Sequence, residues 1–499
     1  MWIWILSGLA VLLLLLGVRD LLQRKHAILR NFPVLGHMRY LLESLGPELR
    51  QYIVAGNDEE RPFSRDQRRW IYASSKKENN YFGFGSDTEM EKVEHYLIFK
   101  HSSFPLPSPF PGDADYDPSF AVPCAKVLGA PRGRTHAFRP ASVINISGMS
   151  YGSLSGAAVE AMNRGAKTAE CLHNTGEGGI SDHHRHGGNL IWQIGTGYYG
   201  CRAEDGGFSL ERFKETVASA PVKAIEIKLS QGAKPGLGGV LPAAKITPEI
   251  SRIRGIPQGR DCISPSSHRA FRDVDEMLDF VELLASETGL PVGIKSAVGQ
   301  ESFWHDLADH MESGERGVDF ISIDGGEGGT GAAPLSFSDH VALPFKLGFS
   351  RVYQVFSERE LADRVVWNGS GKLGLPENTM LAFALGCDMI AVAREAMLAV
   401  GCIQAQECHS GFCPTGVATQ KAWLIRGLDP KLKAARMANY VLTLRKEILR
   451  LSRACGVDHP GAFDLGLIDV LDGNFGARPA WHVFGYPPPP SAAPQSAEA

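Results

Sequence analysis

The sequence predicts an α/β protein whose main body is a (β/α)8 TIM barrel, preceded by a transmembrane helix and an accessory region. Three observations carry that prediction. From about residue 120 to 455, short β-branched runs alternate with longer amphipathic stretches, the order that builds a parallel sheet from βαβ units. About eight strand candidates over roughly 330 residues suit a closed barrel with insertions, with an open doubly wound sheet as the alternative. Within the runs, polar and apolar residues alternate. In "AIEIKL", Ile225, Ile227 and Leu229 oppose Glu226 and Lys228; in "PVGIKS", Val292 and Ile294 oppose Gly293 and Lys295; in "DFISID", Ile321 and Ile323 oppose Ser322 and Asp324. In a barrel the apolar set meets the helix ring and the polar set points inward, near the strand ends where barrel enzymes place chemistry. An antiparallel sheet with one wet face would alternate similarly, but the intervening helical stretches argue against it.

Before the barrel, residues 2–18 ("WIWILSGLAVLLLLLGV") carry no charge, at the short limit for crossing a bilayer. No basic segment precedes this run and no small-residue cleavage signature follows it, which argues against a cleaved signal peptide. Arg19, Arg24, Lys25 and Arg30 follow, so a single-pass anchor (residues 1–19) with the body of the protein in the cytoplasm is expected. A buried or interfacial helix is the alternative. Residues 20–115 form an accessory and linker region, with a charged stretch ("NDEERPFSRDQRR") and a Pro-rich loop ("FPLPSPFPGD"). The barrel is expected over 116–456, with strands in "SVINIS", "AIEIKL", "PVGIKS", "VDFISI", "DRVVWN" and "DMIAVA". A C-terminal extension, 457–499, ends in "PPPPSAAPQSAEA", whose composition predicts disorder.

A formal charge of −4 over 499 residues, with no basic stripe, gives no case for nucleic acid. Nine cysteines are too few and odd in number for a secreted disulfide scaffold, and fit a reduced compartment. Three of them, Cys402, Cys408 and Cys413, fall in one short segment as C-x5-C-x4-C-P. Structural zinc prefers tighter pairs and four ligands. Closely spaced cysteines ending in C-P point instead to iron–sulfur ligation, with three ordinary buried thiols as the alternative. Two other motifs are decoys. "GEGGTG" (326–331) matches G-x-G-x-x-G, but Pro334 follows almost at once and no acidic residue stands at the expected distance. "DHHRHGG" offers His183, His184 and His186, for which a solvated loop is expected rather than a metal site.

The cysteine segment, "CIQAQECHSGFCPTGVATQ", resembles the cluster loop of the FMN-binding glutamate synthase family. The resemblance runs across the barrel, roughly residues 146–420, through "GMSYGSLS", "TGEGG", "EIKLSQGAKPGLGG", "GGTGAAPLS" and "GCDMIAVA" in the family's order. It implies FMN and a 3Fe-4S cluster held by Cys402, Cys408 and Cys413. It places Met149 and Ser150 at the first strand end, Gly328, Gly329 and Thr330 along the flavin pocket, and Lys295 near the flavin pyrimidine. Gly369, Ser370 and Gly371 would reach the FMN phosphate, with Ala393 and Arg394 beside them. For the substrate it implies Lys228, Lys234 and Arg254 as cations, with Gln231 and Glu177 as polar partners. The implied reaction is reductive amination of 2-oxoglutarate, or a related 2-oxo acid, with ammonia or an amine. The electrons would come from a one-electron donor such as ferredoxin or from a membrane donor.

The chain departs from the family at two positions. Where the family usually reads "GAKPGEGGQLP", this chain reads "GAKPGLGGVLP", so Leu237 and Val240 replace a carboxylate and an amide. Neither a glutaminase nor an NAD(P)H-binding domain is legible, so ammonia is expected from solution or from a separate glutaminase subunit. The alternative is an electron-transfer or assembly subunit with a degenerate substrate site; the lysines and arginine favour the enzyme, Leu237 and Val240 the alternative.

Overall fold

The structure, a computed structural model, describes residues 2–23, 26–57, 59–81, 83–86 and 88–492. The chain divides into two compact units, Met1–Arg69 and Trp70–Ala499.

In the first unit, one helix, Trp2–Leu22, is apolar and long enough to cross a membrane by length and composition. It runs one turn past the uncharged stretch and takes in Asp20, which is buried. The Asp20 carboxylate accepts from Val34 N and from His37 Nε2, both at 2.9 Å. That bond pattern folds the chain back through a short helix, Ala27–Asn31, into a second long one, Gly36–Leu49. Arg24 and Lys25, on which part of the expected topology rests, lie outside the described residues, as do residues 493–499 of the Pro-rich tail.

The second unit contains the barrel. Its strands, here β1 to β8, are Ile144–Ile146, His173–Asn174, Leu190–Ile194, Val222–Lys228, Val292–Ser296, Phe320–Asp324, Val366–Ser370 and Met389–Val392. All eight pair in parallel in chain order, and β8 closes on β1 through Ile390↔Ile144 and Val392↔Ile146. Closure excludes the open sheet. β2 and β3 carry no alternation that marks them in the sequence. β2 has two residues, and β3 ("LIWQI") is apolar at every position but Gln193.

The alternation read from the sequence is the barrel's inside and outside. Ile225, Ile227, Val292, Ile294, Ile321 and Ile323 are fully buried apolar residues. The inward side chains change character along the barrel axis. At the bottom, Ile191, Ala224, Phe320, Val366 and Met389 form an apolar layer, closed from below by Cys124 and Leu128. Above it lies a polar layer. Glu226 Oε1 accepts from Asn174 Nδ2 at 2.7 Å and from Gln193 Nε2 at 2.6 Å, and its Oε2 accepts from Ser322 Oγ at 2.6 Å. Asn368 Nδ2 donates to Ser322 Oγ at 2.9 Å, so one network ties five strands. Lys228, Lys295 and Asp324 follow toward the C-terminal rim.

A helix at Pro430–Ala454 packs on the barrel helix Gly156–Ala169. They meet at Gly165, where a Cβ would stand 2.6 Å from Met437 Cβ. The C-terminal extension is structured through residue 492. Ile468–Asp472 pairs antiparallel with Glu94–Phe99 and with Ala477–Pro479, and Tyr486 OH donates to Leu385 O at 2.7 Å.

Because Glu226 is the acceptor for three inward donors, Glu226→Ala leaves Asn174, Gln193 and Ser322 without it. We expect a loss of about 3 kcal/mol, measured by denaturant unfolding, with a smaller loss for Glu226→Gln.

Candidate functional site

The C-terminal ends of eight parallel strands share one rim, and there the structure assembles most of the residues singled out in the sequence. Glu177 stands in the loop after β2, brought close by Gly176. That glycine has φ +66°, and a Cβ there would lie 2.6 Å from Ser150 N. The Glu177 carboxylate accepts from Lys228 Nζ, at the end of β4, at 2.7 Å. Lys234 Nζ lies 3.7 Å from the same oxygen. Lys228 also donates to Gln231 Oε1 at 3.1 Å, and Gln231 Nε2 reaches across to Gly329 O at 3.2 Å. Arg254 is buried beside this cluster, with a terminal nitrogen donating to Tyr151 O at 3.0 Å. Its guanidinium lies 5.1 Å from the Tyr199 ring centre, and its buried Nε has no partner.

These groups set one another's charge. Burial pushes the Glu177 carboxyl up, but Lys228, Lys234 and Arg254 more than reverse it and hold it at about 2. Burial and the neighbouring Lys228 ammonium push Lys234 down from its ordinary range, against the pull of Glu177. Glu177 thus stays ionised near neutrality, while burial and Lys228 weaken the hold of Lys234 on its proton.

Across the rim, Lys295 at the end of β5 lies 3.3 Å from Asp324 at the end of β6. Burial pushes its ammonium down, but Asp324 and Glu226 outweigh that and raise it. Asp324 also accepts from Gly232 N at 2.9 Å, which fixes the β4 loop over the rim. At the end of β1, Gly148 crosses the polar layer so closely that a Cβ would stand 2.8 Å from Asn174 Oδ1. Met149 and Ser150 follow there, and Ser150 Oγ is 2.9 Å from Ser153 Oγ.

At the end of β7, Gly371 has φ +148°. Gly369 faces outward, where a Cβ would meet Phe345, Cys387 and Leu373 within 2.9 Å, so its missing side chain serves packing. Ala393 and Arg394 follow β8. The Arg394 guanidinium donates to Glu327 O, and Gly329 is tight against it, a Cβ there lying 2.7 Å from Arg394 Cδ. The loop of Gly328, Gly329 and Thr330 therefore lies between Arg394 and the β4 loop. "GEGGTG" sits wholly in this loop, with the next helix starting at Leu335, and is no dinucleotide fingerprint. Ser370 and Gly371 are buried at the strand end, and that side-chain-poor turn, the Arg394 cation and the buried Lys295 ammonium suit a phosphorylated flavin. Beside the β4, β5 and β6 loops opens a cavity of about 760 Å³, whose lining includes Pro235, Gly236, Gly299 and Leu343.

Cys402, Cys408 and Cys413 line one small cavity with Pro414. The segment is folded tightly, with Gln404 and Gln406 both left-handed at φ 58° and 57°. Burial pushes the Cys413 thiol up, but the N–H groups of Ala418, Thr415 and Val417 and the Thr415 hydroxyl outweigh it and bring the group below its ordinary value. Gln404 N donates to Cys402 Sγ at 3.4 Å. Such N–H···S contacts stabilise thiolates. Among the described residues, no three His, Cys, Asp or Glu side chains converge as ligands of a single ion. Three thiols around a cavity suit a cluster larger than one ion. The loop adjoins the barrel rim, since a Cβ on Gly331 would lie 3.2 Å from Cys408 Cβ.

Two parts of this region differ from the sequence reading or escape it. The histidine segment is no solvated loop. His184 is fully buried and bonded to Ser181, His183 lies 3.7 Å from Glu249, and His186 lies 3.6 Å from Glu160. His183 and His186 find their partners on neighbouring helices and His184 finds its own at Ser181, which a string of polar letters does not reveal. Lys245 is buried and donates to Cys408 O at 2.7 Å, and no local pattern marks it.

Comparison with known proteins places the chain. The conserved region in glutamate synthase matches residues 132–458. The glutamate synthase large subunit-like protein YerD of Bacillus subtilis is 37% identical over 472 residues, covering 89% of each chain. The archaeal glutamate synthase [NADPH] of Methanocaldococcus jannaschii is 34% identical over 318 residues, covering 63% of this chain and 59% of that one. Among solved structures, a flavocytochrome b2 mutant with benzoylformate covers 91% of this chain and 90% of that one at 14% identity and a TM-score of 0.46.

Because Glu177 is held at about 2 against an ordinary 4.5, its stabilising effect is complete above pH 4.5 and is lost as pH falls toward 2. Unfolding of the native protein and of Glu177→Gln, followed between pH 6 and 3, should therefore converge on acidification; a constant gap would contradict the pairing.

Proposed function

The chain belongs to the glutamate synthase family, a family of oxidoreductases, and on that premise we propose that it reductively aminates a 2-oxo acid, with 2-oxoglutarate the first substrate to test. The single observation that carries this is the buried set of three cations, Lys228, Lys234 and Arg254, around one ionised carboxylate at a barrel rim.

When bound, FMN would supply hydride transfer, and an iron–sulfur cluster one-electron transfer. Lys295, Ser370, Gly371 and Arg394 would hold the flavin, with Met149, Ser150 and the loop of Gly328, Gly329 and Thr330 along its pocket. Cys402, Cys408 and Cys413 would hold the cluster. Lys228 and Arg254 bind substrate carboxylates, Arg254 through a guanidinium suited to bidentate contact. Glu177 keeps the cations together without acting as an acid, because its proton is lost far below neutrality. Gln231 orients Lys228 and ties it to the β6 loop. Lys234, pushed down by burial and by Lys228, delivers the proton that the new amine nitrogen takes up. Two features favour a side chain less polar than a second carboxylate. Val240 pairs with Ile263 in a small strand pair beside the cluster, and both are exposed; Leu237 is the other departure.

The Trp2–Leu22 helix supports a single-pass membrane anchor, and Arg19 and Arg30 beyond the apolar run support a cytoplasmic barrel. The amine source is ammonia or a separate glutaminase subunit, and the reductant a ferredoxin-like or membrane donor.

Binding of 2-oxo acids, read as a change in the flavin spectrum of the purified protein, tests the substrate assignment. Lys228→Met should weaken it at least about tenfold, the loss of one charge-assisted contact, while leaving FMN content unchanged. Cys408→Ser should lower iron content and remove any cluster signal in electron paramagnetic resonance without releasing FMN; unchanged iron would contradict the ligand assignment.

A further inference from the structure

The Gly36–Leu49 helix bears an apolar stripe that nothing in its own unit covers. Met38, Leu41, Leu42, Leu45 and Leu49 are each between 43% and 62% exposed. At about 100° per residue they fall within one arc of roughly 100°, with no charged residue inside it. Arg39, Glu43 and Glu48 lie outside the arc, and Arg39 pairs with Glu43 at 2.8 Å. The chain continues through the turn Arg50–Val54, where Tyr52, Ile53 and Val54 are also exposed.

The position of this helix decides what covers the stripe. Its first turn is fastened to the end of the Trp2–Leu22 helix, since Asp20 accepts from both Val34 N and His37 Nε2. The turn between is tight. Val34 has φ 65°, and a Cβ on Gly36 would stand 3.2 Å from Ile28 O. A helix pinned to the end of a spanning segment starts at the boundary between acyl chains and water. There a one-sided apolar stripe with a charged opposite face lies in the plane of the bilayer.

We propose that Gly36–Leu49 is an in-plane membrane helix, its Met38–Leu49 stripe sunk into the headgroup and acyl boundary of the leaflet that Trp2–Leu22 leaves. The inference rests on reading Trp2–Leu22 as a spanning helix. It gives the protein a second lipid contact, so the anchor is a bracket rather than a single post. The occupant is lipid because the stripe is continuous with the anchor and pinned at its exit.

The test uses the full-length protein in native membranes, with a photoreactive phenylalanine placed singly at Leu42, Leu45, Glu43, Ser44 or Leu12. Leu42 and Leu45 should form lipid adducts several-fold more than Glu43 and Ser44, and Leu12 should form them too. Protein adducts at Leu42 and Leu45, from the barrel unit or from a second copy, would overturn the proposal. So would lipid labelling equal at all four Gly36–Leu49 positions, or none there while Leu12 is labelled. Labelling at Leu42 and Leu45 but not at Leu12 would keep the in-plane helix and refute the spanning one.

Discussion

Three cations share one small region of the barrel rim, and they stay there because a single carboxylate offsets their repulsion. Glu177 meets Lys228 at 2.7 Å and Lys234 at 3.7 Å, largely out of water. The surrounding architecture serves that juxtaposition. Left-handed Gly176 lets the β2 loop approach the β1 end, and Asp324 holds the β4 loop down through Gly232 N. A Cβ on Gly195 would stand 2.6 Å from Glu177 Oε2, so the residue that follows β3 must lack a side chain. Below, the Glu226 network fixes β4, the strand that ends in Lys228 and leads into the Lys234 loop. The barrel interior thus passes from apolar to polar to charged, and the charged end is the one that faces a ligand.

A buried ion cluster of this kind is costly to build and is weak evidence for stability by itself. Its worth lies in preorganisation. Cations already desolvated and held in place can meet an anionic group without rearranging, and the same burial pushes Lys234 down from its ordinary range. The cysteine loop follows similar logic with different groups. Backbone N–H groups around Cys413 prepare a thiolate in a chain segment that touches the rim through Gly331.

Much of the fold is legible in the sequence because strand alternation is periodic and local. Glu226, Lys228, Lys295, Ser322 and Asp324 all fall on the predicted inward face. β2 and β3 are not legible. His173–Asn174 is too short to show a period, and Leu190–Ile194 has only one polar side chain, Gln193, too few to show one. The site was legible in two ways. Lys228 and Lys295 stand at strand ends on the inward face, where physical reasoning looks first. Glu177, Lys234 and Arg254 come only from the family resemblance, since nothing local joins them. Lys245 is invisible because its partner Cys408 lies 163 residues away. The histidine segment misleads because its polar letters match a solvated loop, whereas neighbouring helices bury His184 and pair the others.

The proposed activity turns a 2-oxo acid and ammonia, with two electrons from a reduced carrier, into an amino acid. The most direct measurement is product formation by the purified, flavin-loaded protein, supplied anaerobically with a reduced one-electron carrier, isotope-labelled ammonia and a panel of 2-oxo acids of graded side-chain polarity. Labelled amino acid is expected from at least one of them, and none from the Lys228→Met protein. Flavin that is reduced by the carrier, yet yields no labelled amino acid from any 2-oxo acid, would contradict it.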